Sequence, residues 1–222
     1  MSESSATSVH EAPPVKSWVL VFTLTLLGLI SGLCIVGAFQ LTLPTITSNK
    51  AKALRAAVFE VVPGAKQMQP MVWDGSALAA AAKDVVGSTI YASYDSAGVF
   101  MGYAIPAEGP GFQDNIRLIY GYLPGTKRIV GMKVLESRET PGLGDKIYKD
   151  DKFVGEFRDL AVEPQVVVVK GHGADPNQVD AITGATISSK SVVKIVNAGN
   201  ESWLPRLPAP GQEPPPPGKG GL

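Results

Sequence analysis

The sequence predicts an α+β protein: one N-terminal transmembrane helix followed by a single mixed α/β domain carrying antiparallel hairpins. Three observations predict it. Residues 18–39, "WVLVFTLTLLGLISGLCIVGAF", hold no charged side chain. Residues 88–107 and 115–137 each set two β-rich runs around a cluster of turn residues. Stretches of helical spacing stand before and after those hairpins, and strand pairs mixed with helices give the α+β class.

Residues 1–15, "MSESSATSVHEAPPV", form a short polar segment with too little apolar content to pack. The apolar run that follows covers 22 positions. At about 1.5 Å per residue it matches the hydrocarbon thickness of a bilayer. With its flanks the span is placed at 16–43. Trp18 and Phe39 stand at its ends, where aromatics favour the interface. Gly28 and Gly32 make a G-x-x-x-G pair, with Ser31 and Cys34 close in sequence. The run is too long for a signal-peptide core and "GAFQ" is a poor cleavage site, so it reads as a retained anchor. Lys16 precedes the span, whereas Lys50, Lys52 and Arg55 follow it. By charge count alone the following domain would face the cytoplasm.

The domain itself is expected over 48–203. "KAKALRAAVFEVVP" (50–63) spaces Leu54, Val58 and Val62 on one helical face and stops at Pro63. The first hairpin turns at "DSAG" and the second at "LPGTK". "QVVVVK" (165–170) reads as a buried strand. "SKSVVKIVNAG" (189–199) reads as a helix with Ser188 as N-cap and Gly199 at its end. Residues 204–222, "LPRLPAPGQEPPPPGKGGL", form a Pro/Gly-rich tail expected to be disordered, semi-extended and without a core of its own.

Composition narrows the chemistry. The 222-residue chain has a formal net charge of +0, which gives no basic field for nucleic acid. Cys34 is the single cysteine, so neither a disulfide framework nor a Cys-ligated cluster can be built. His10 and His172 are the only histidines, too few for a His-rich metal site. Redox or group-transfer chemistry would therefore have to come from something bound.

Three stretches could hold such a group. "VVVVKGHGADP" offers Gly171 and Gly173 after a strand, but the third glycine of a dinucleotide loop is missing and Pro176 falls where a helix should open. "ESRETPGLGDKI" (136–147) joins Glu139 and Thr140 to Pro141, Gly142, Leu143 and Gly144; its glycines let backbone approach a ligand, although a plain turn has the same composition. "DAITGATISS" (180–189) places hydroxyls at Thr183, Thr186, Ser188 and Ser189 around Gly184 and Ala185, where the next helix points its N-terminus. A turn and an N-cap would use the same letters. Asp180 would repel a free phosphate, and fits better as a group that positions a hydroxyl or is read by a processing enzyme.

The last stretch resembles the D-x-x-[ST]-G-A-[ST]-x-[ST] flavinylation motif of FMN-binding domains in Rnf-type electron-transport complexes. Related domains occur in the C subunit of the sodium-translocating NADH:quinone oxidoreductase. "ETPGLG" (139–144) is similar to a loop that the family holds near its flavin. One span followed by such a domain looks like the Rnf G subunit, over roughly residues 17–200. The resemblance implies FMN joined covalently to Thr186 as a phosphoester by a flavin transferase that recognises Asp180. It implies that Thr183, Gly184, Ala185 and Ser188 shape the site, and that Glu139, Thr140, Gly142, Leu143 and Gly144 lie near the flavin. It also implies a single-pass protein of the cytoplasmic membrane with its domain on the periplasmic or extracellular side, against the charge count. Its partners would be the other membrane subunits of a ferredoxin:NAD+ type complex, in which this chain relays electrons without catalysing alone; the alternatives are the C subunit of a sodium-translocating NADH:quinone oxidoreductase, or a non-redox membrane-anchored module that binds a partner through its tail or its span.

Overall fold

The computed structural model describes residues 16–81, 89–171 and 173–217. The polar segment 1–15, His172 and the last five residues of the tail lie outside the described residues. The chain divides into two compact units, residues 1–50 and 51–222.

Helix α1 spans Ser17–Val61 and is long and apolar enough to cross a membrane. The helices expected separately, a span ending at 43 and a second helix from 50, are one element. Pro44 lies inside it. A proline removes one main-chain donor, and the hydroxyl of Thr47 donates back to the carbonyls of Leu43 and Pro44 at 3.1 and 2.9 Å across that turn.

In the second unit the chain forms strands β1 (Gln67–Trp73), β2 (Leu78–Ala80), β3 (Thr89–Tyr94), β4 (Phe100–Pro110), β5 (Asn115–Leu123) and β6 (Arg128–Glu136). Two short helices follow, α2 (Lys146–Lys149) and α3 (Asp151–Gly155), then β7 (Leu160–Ala161). With β7 they make a seven-stranded sheet, order β2-β1-β3-β4-β5-β6-β7, every pair antiparallel. Both predicted hairpins are present. In the first, the Asp95 carboxylate accepts the N–H groups of Ala97 and Val99 at 2.8 Å, which closes the turn. The hairpin β1–β2 has no counterpart in the sequence-based expectation; the Asp74 carboxylate closes it by accepting the amides of Ser76 and Ala77.

Alternation along each strand splits the side chains between two buried faces. Ile90, Ala92, Tyr103, Ile105, Leu118 and Tyr120 point to the larger core. Tyr91, Ala104 and Ile119 point the other way, against Ala57, Val58, Val61 and Val62 at the end of α1. Gly121 and Gly131 pair across β5 and β6, and a Cβ on Gly131 would come within 2.9 Å of the Val61 carbonyl oxygen. The paired glycines let the helix end settle directly on the sheet.

The larger core is closed by helix α4 (Thr186–Trp203) through Val192, Val193, Ile195, Val196 and Trp203. Burying each such side chain contributes about 1.5–3 kcal/mol. The helix is longer at both ends than the predicted 189–199. Gly199 does not stop it: a Cβ there would lie 2.6 Å from the Tyr120 hydroxyl, so glycine serves a close helix–sheet approach. That hydroxyl donates to Asn200 Oδ1 at 2.9 Å. The strand expected at 165–170 is also corrected. It shortens to β8 (Val167–Val169), with Val167 exposed, because it pairs only in a separate two-stranded parallel sheet with β9 (Gln178–Asp180).

A 3-10 turn at Leu204–Arg206 follows α4. The tail, expected to be semi-extended and without a core of its own, touches the domain at Pro214, whose carbonyl accepts the Tyr94 hydroxyl at 2.7 Å.

Candidate functional site

Two turns of the same kind meet at the start of α4. In the first, the Leu143 N–H donates to the Thr140 carbonyl, with Pro141 at the second position and Gly142 at φ +78° in the third. In the second, the Ala185 N–H donates to the Ile182 carbonyl, and Gly184 holds the third position at φ +83°. A positive φ at the third position marks a type II turn, and glycine supplies it without steric cost. A Cβ on Gly184 would lie 3.7 Å from Leu143 Cδ2, so the two motifs, some forty residues apart in sequence, touch.

Glu139 joins them from beneath. Its side chain is buried. Oε1 accepts the N–H groups of Phe112 and Gln113 at 2.9 and 3.0 Å, and Oε2 accepts the Ser188 hydroxyl at 2.5 Å. One carboxylate thus ties the β4–β5 turn to the first turn of α4, and donors to a charged acceptor make the strong class of hydrogen bond. Gly144 permits this approach, since a Cβ there would fall 2.6 Å from Glu139 Oε2 and 2.9 Å from Ser188 Oγ. Thr140 adds a second stitch, donating to Gln113 Oε1 at 2.9 Å. Phe112 and Gln113 carry no sign in the sequence as partners of Glu139 because what they offer it are main-chain amides, which nearly any residue has.

The hydroxyls of the motif divide sharply. Ser188, expected as N-cap, is the third helical residue and is committed to Glu139. Ser189 donates to the Ala185 carbonyl at 3.0 Å and accepts the Ile182 N–H at 3.1 Å, fixing the turn. Thr183 is exposed and Thr186 half-buried, and neither hydroxyl has a hydrogen-bond partner among the described residues. The N-cap position falls to Ala185, with no side-chain cap. The first amides of an 18-residue helix are therefore left open beside Thr186. That end of a helix favours an anion.

Asp180 stands apart from this cradle. Its Oδ1 accepts the Gly173 N–H at 3.0 Å, and its main-chain N–H donates to Glu156 Oε2 at 2.5 Å. Gly171 and Gly173 lie between the parallel strands β8 and β9, and no helix opens between those strands among the described residues. Asp180 and Thr183 line a cleft of about 520 Å³ together with Lys146, Lys149 and Lys152. Burial raises the Glu156 carboxyl above its ordinary range. Beside the first turn, the Lys149 ammonium donates to the buried Asp145 at 2.6 Å and holds that carboxyl below its ordinary range. The exposed lip is apolar: Leu143 is 50% and Ile187 57% accessible. An open helix end, an unpaired hydroxyl and apolar side chains at the surface together suit a phosphorylated group with a planar ring.

A family described as "FMN-binding domain" matches residues 111–201. The G subunit of the ion-translocating oxidoreductase complex of Methanosarcina acetivorans is 30% identical over 179 residues, covering 81% of this chain and 90% of that protein. The protein of the same name from Shewanella baltica is 32% identical, covering 82% and 86%. Among solved structures, NqrC of Shewanella oneidensis superposes with a TM-score of 0.55 at 18% identity, over 68% of this chain and 91% of that one, and so shares the fold.

Proposed function

The chain belongs to the family of ion-translocating oxidoreductase complex G subunits and carries an FMN-binding domain, and from that premise we propose that it holds FMN covalently on Thr186 and relays electrons through it. The observation that carries this reading is the free Thr186 hydroxyl at an uncapped helix N-terminus. When bound, FMN supplies redox chemistry that side chains do not.

The chain's own residues retain and orient it. The Thr186 Oγ1 would carry the phosphoester, and the open amides of α4 would stabilise its charge in place of a lysine or arginine. A covalent tether also removes the need for tight reversible binding. Thr183, Gly184 and Ala185 shape the turn that leaves Thr186 accessible. Glu139, Ser188 and Gly144 hold that turn against the Thr140–Leu143 loop, and Leu143 and Ile187 offer apolar surface at the lip. Asp180, on β9 beside the cleft, is the candidate for recognition by a flavin transferase.

Under the same reading α1 anchors the domain in the cytoplasmic membrane, beside the other members of the complex, with the domain on the periplasmic or extracellular face. The test is Thr186→Val in a host that contains the transferase. This variant should fold but show no flavin fluorescence in a denaturing gel. Fluorescence at the wild-type level would overturn the assignment.

A further inference from the structure

We propose that the β1–β2 hairpin and the end of β3, at the margin of the larger core, form a polyproline-recognition groove, filled in this chain by its own residues 212–217 and able to take a proline-rich segment of another polypeptide. Residues 212–217 run extended without helix or strand and contain Pro214–Pro217. Such a segment has no main-chain donors at its prolines and leaves its carbonyls free, so it is recognised by ring surfaces together with a side-chain donor.

Those features are present. The Tyr94 hydroxyl lies 2.7 Å from the Pro214 carbonyl oxygen and 3.2 Å from that of Pro215. Burial first, then the Glu213 carboxylate, pushes the Tyr94 phenol up to about 12, so it remains a donor at any physiological pH. Gly98 keeps the floor flat: a Cβ there would stand 3.2 Å from Pro216 Cγ. Beyond this contact the groove continues as a cavity of about 510 Å³, walled by Met71, Trp73 and Leu78 opposite Pro208 and Pro215. The Arg206 guanidinium stands 5.9 Å from the Trp73 ring and 5.6 Å from the Trp203 ring, fixing the point where the tail enters. None of these residues belongs to the flavin motifs.

A tethered tail competes at an effective concentration in the millimolar range. A free ligand is therefore seen only when the tail is disabled. The test uses the full chain with Pro214, Pro215 and Pro216 replaced by serine, and a fluorescent peptide of residues 208–217 as probe. By anisotropy the substituted chain should bind the probe at least about tenfold more tightly than the unaltered chain. Adding Tyr94→Phe should weaken that binding about tenfold, the loss of one partly buried hydrogen bond. Absence of binding by a substituted chain that still unfolds cooperatively would overturn the proposal, as would binding insensitive to Tyr94→Phe. An independent reading comes from hydrogen exchange in the otherwise unaltered chain. There Tyr94→Phe should speed exchange at Gly211–Glu213 while the β3–β6 amides keep their protection, and unchanged exchange at those three residues would contradict the groove.

Discussion

Ser188 and Thr186 stand two residues apart at the start of one helix, and the fold uses them in opposite ways. The Ser188 side faces inward, where Glu139 collects its hydroxyl and two main-chain amides into a buried clamp. The Thr186 side faces the lip, where the hydroxyl is unpaired among the described residues and its neighbours Leu143 and Ile187 are exposed. The clamp specifies geometry and the lip presents chemistry. A modification site needs both, because an accessible hydroxyl is useful to a transferase only if the turn bearing it has one conformation.

The sharpest way to break this division is to remove the clamp. Glu139→Ala leaves two amides and a hydroxyl without their buried acceptor, and should cost about 3 kcal/mol in denaturant unfolding of the domain. It should also lower the yield of flavin on an intact Thr186. Thr186→Val should do the reverse, abolishing attachment with stability changed by less than about 0.5 kcal/mol, as expected of a residue that anchors nothing. Equal stability losses in the two variants would erase the distinction between clamp and lip.

Between these extremes lies the turn itself. Gly184→Ala places a Cβ at φ +83° and should cost about 1–2 kcal/mol, with slower flavin attachment but an unchanged site of attachment. The smallest effect concerns pH. The Asp145 carboxyl is held low chiefly by Lys149, so the stabilisation is complete above the ordinary carboxylate pKa of about 3.9 and is lost as pH falls through the lower folded value. Lys149→Met should lower the thermal midpoint at pH 7. The deficit should shrink as pH drops below about 4 and close once pH is below the lower folded value, where Asp145 is protonated with or without its partner.

Much of this is legible in the sequence because it depends on local chemistry. "DSAG" and "LPGTK" mark their turns by residue type, and the uncharged run marks α1 by length. The two motif loops are legible as Gly-bearing turns, and their resemblance to one family joins them without any contact being visible. What fails depends on partners distant in sequence. Ser188 looks like a cap until Glu139, 49 residues away, claims its hydroxyl. Gly199 looks like a helix stop until Tyr120 is seen to need the space. The proline tail carries no local sign that Tyr94, 120 residues earlier, receives it. Hairpin β1–β2 is hidden because "QMQPMVW" mixes proline with weak alternation.

The central claim, that Thr186 is the presented hydroxyl, is tested most directly by mass. The intact chain would be purified under denaturing conditions from its native host, and residues 180–190 fragmented. The account predicts a gain of one FMN less one water, located on Thr186. The same gain on Thr183 or Ser188, or an unmodified chain from a host with an active flavin transferase, would contradict it.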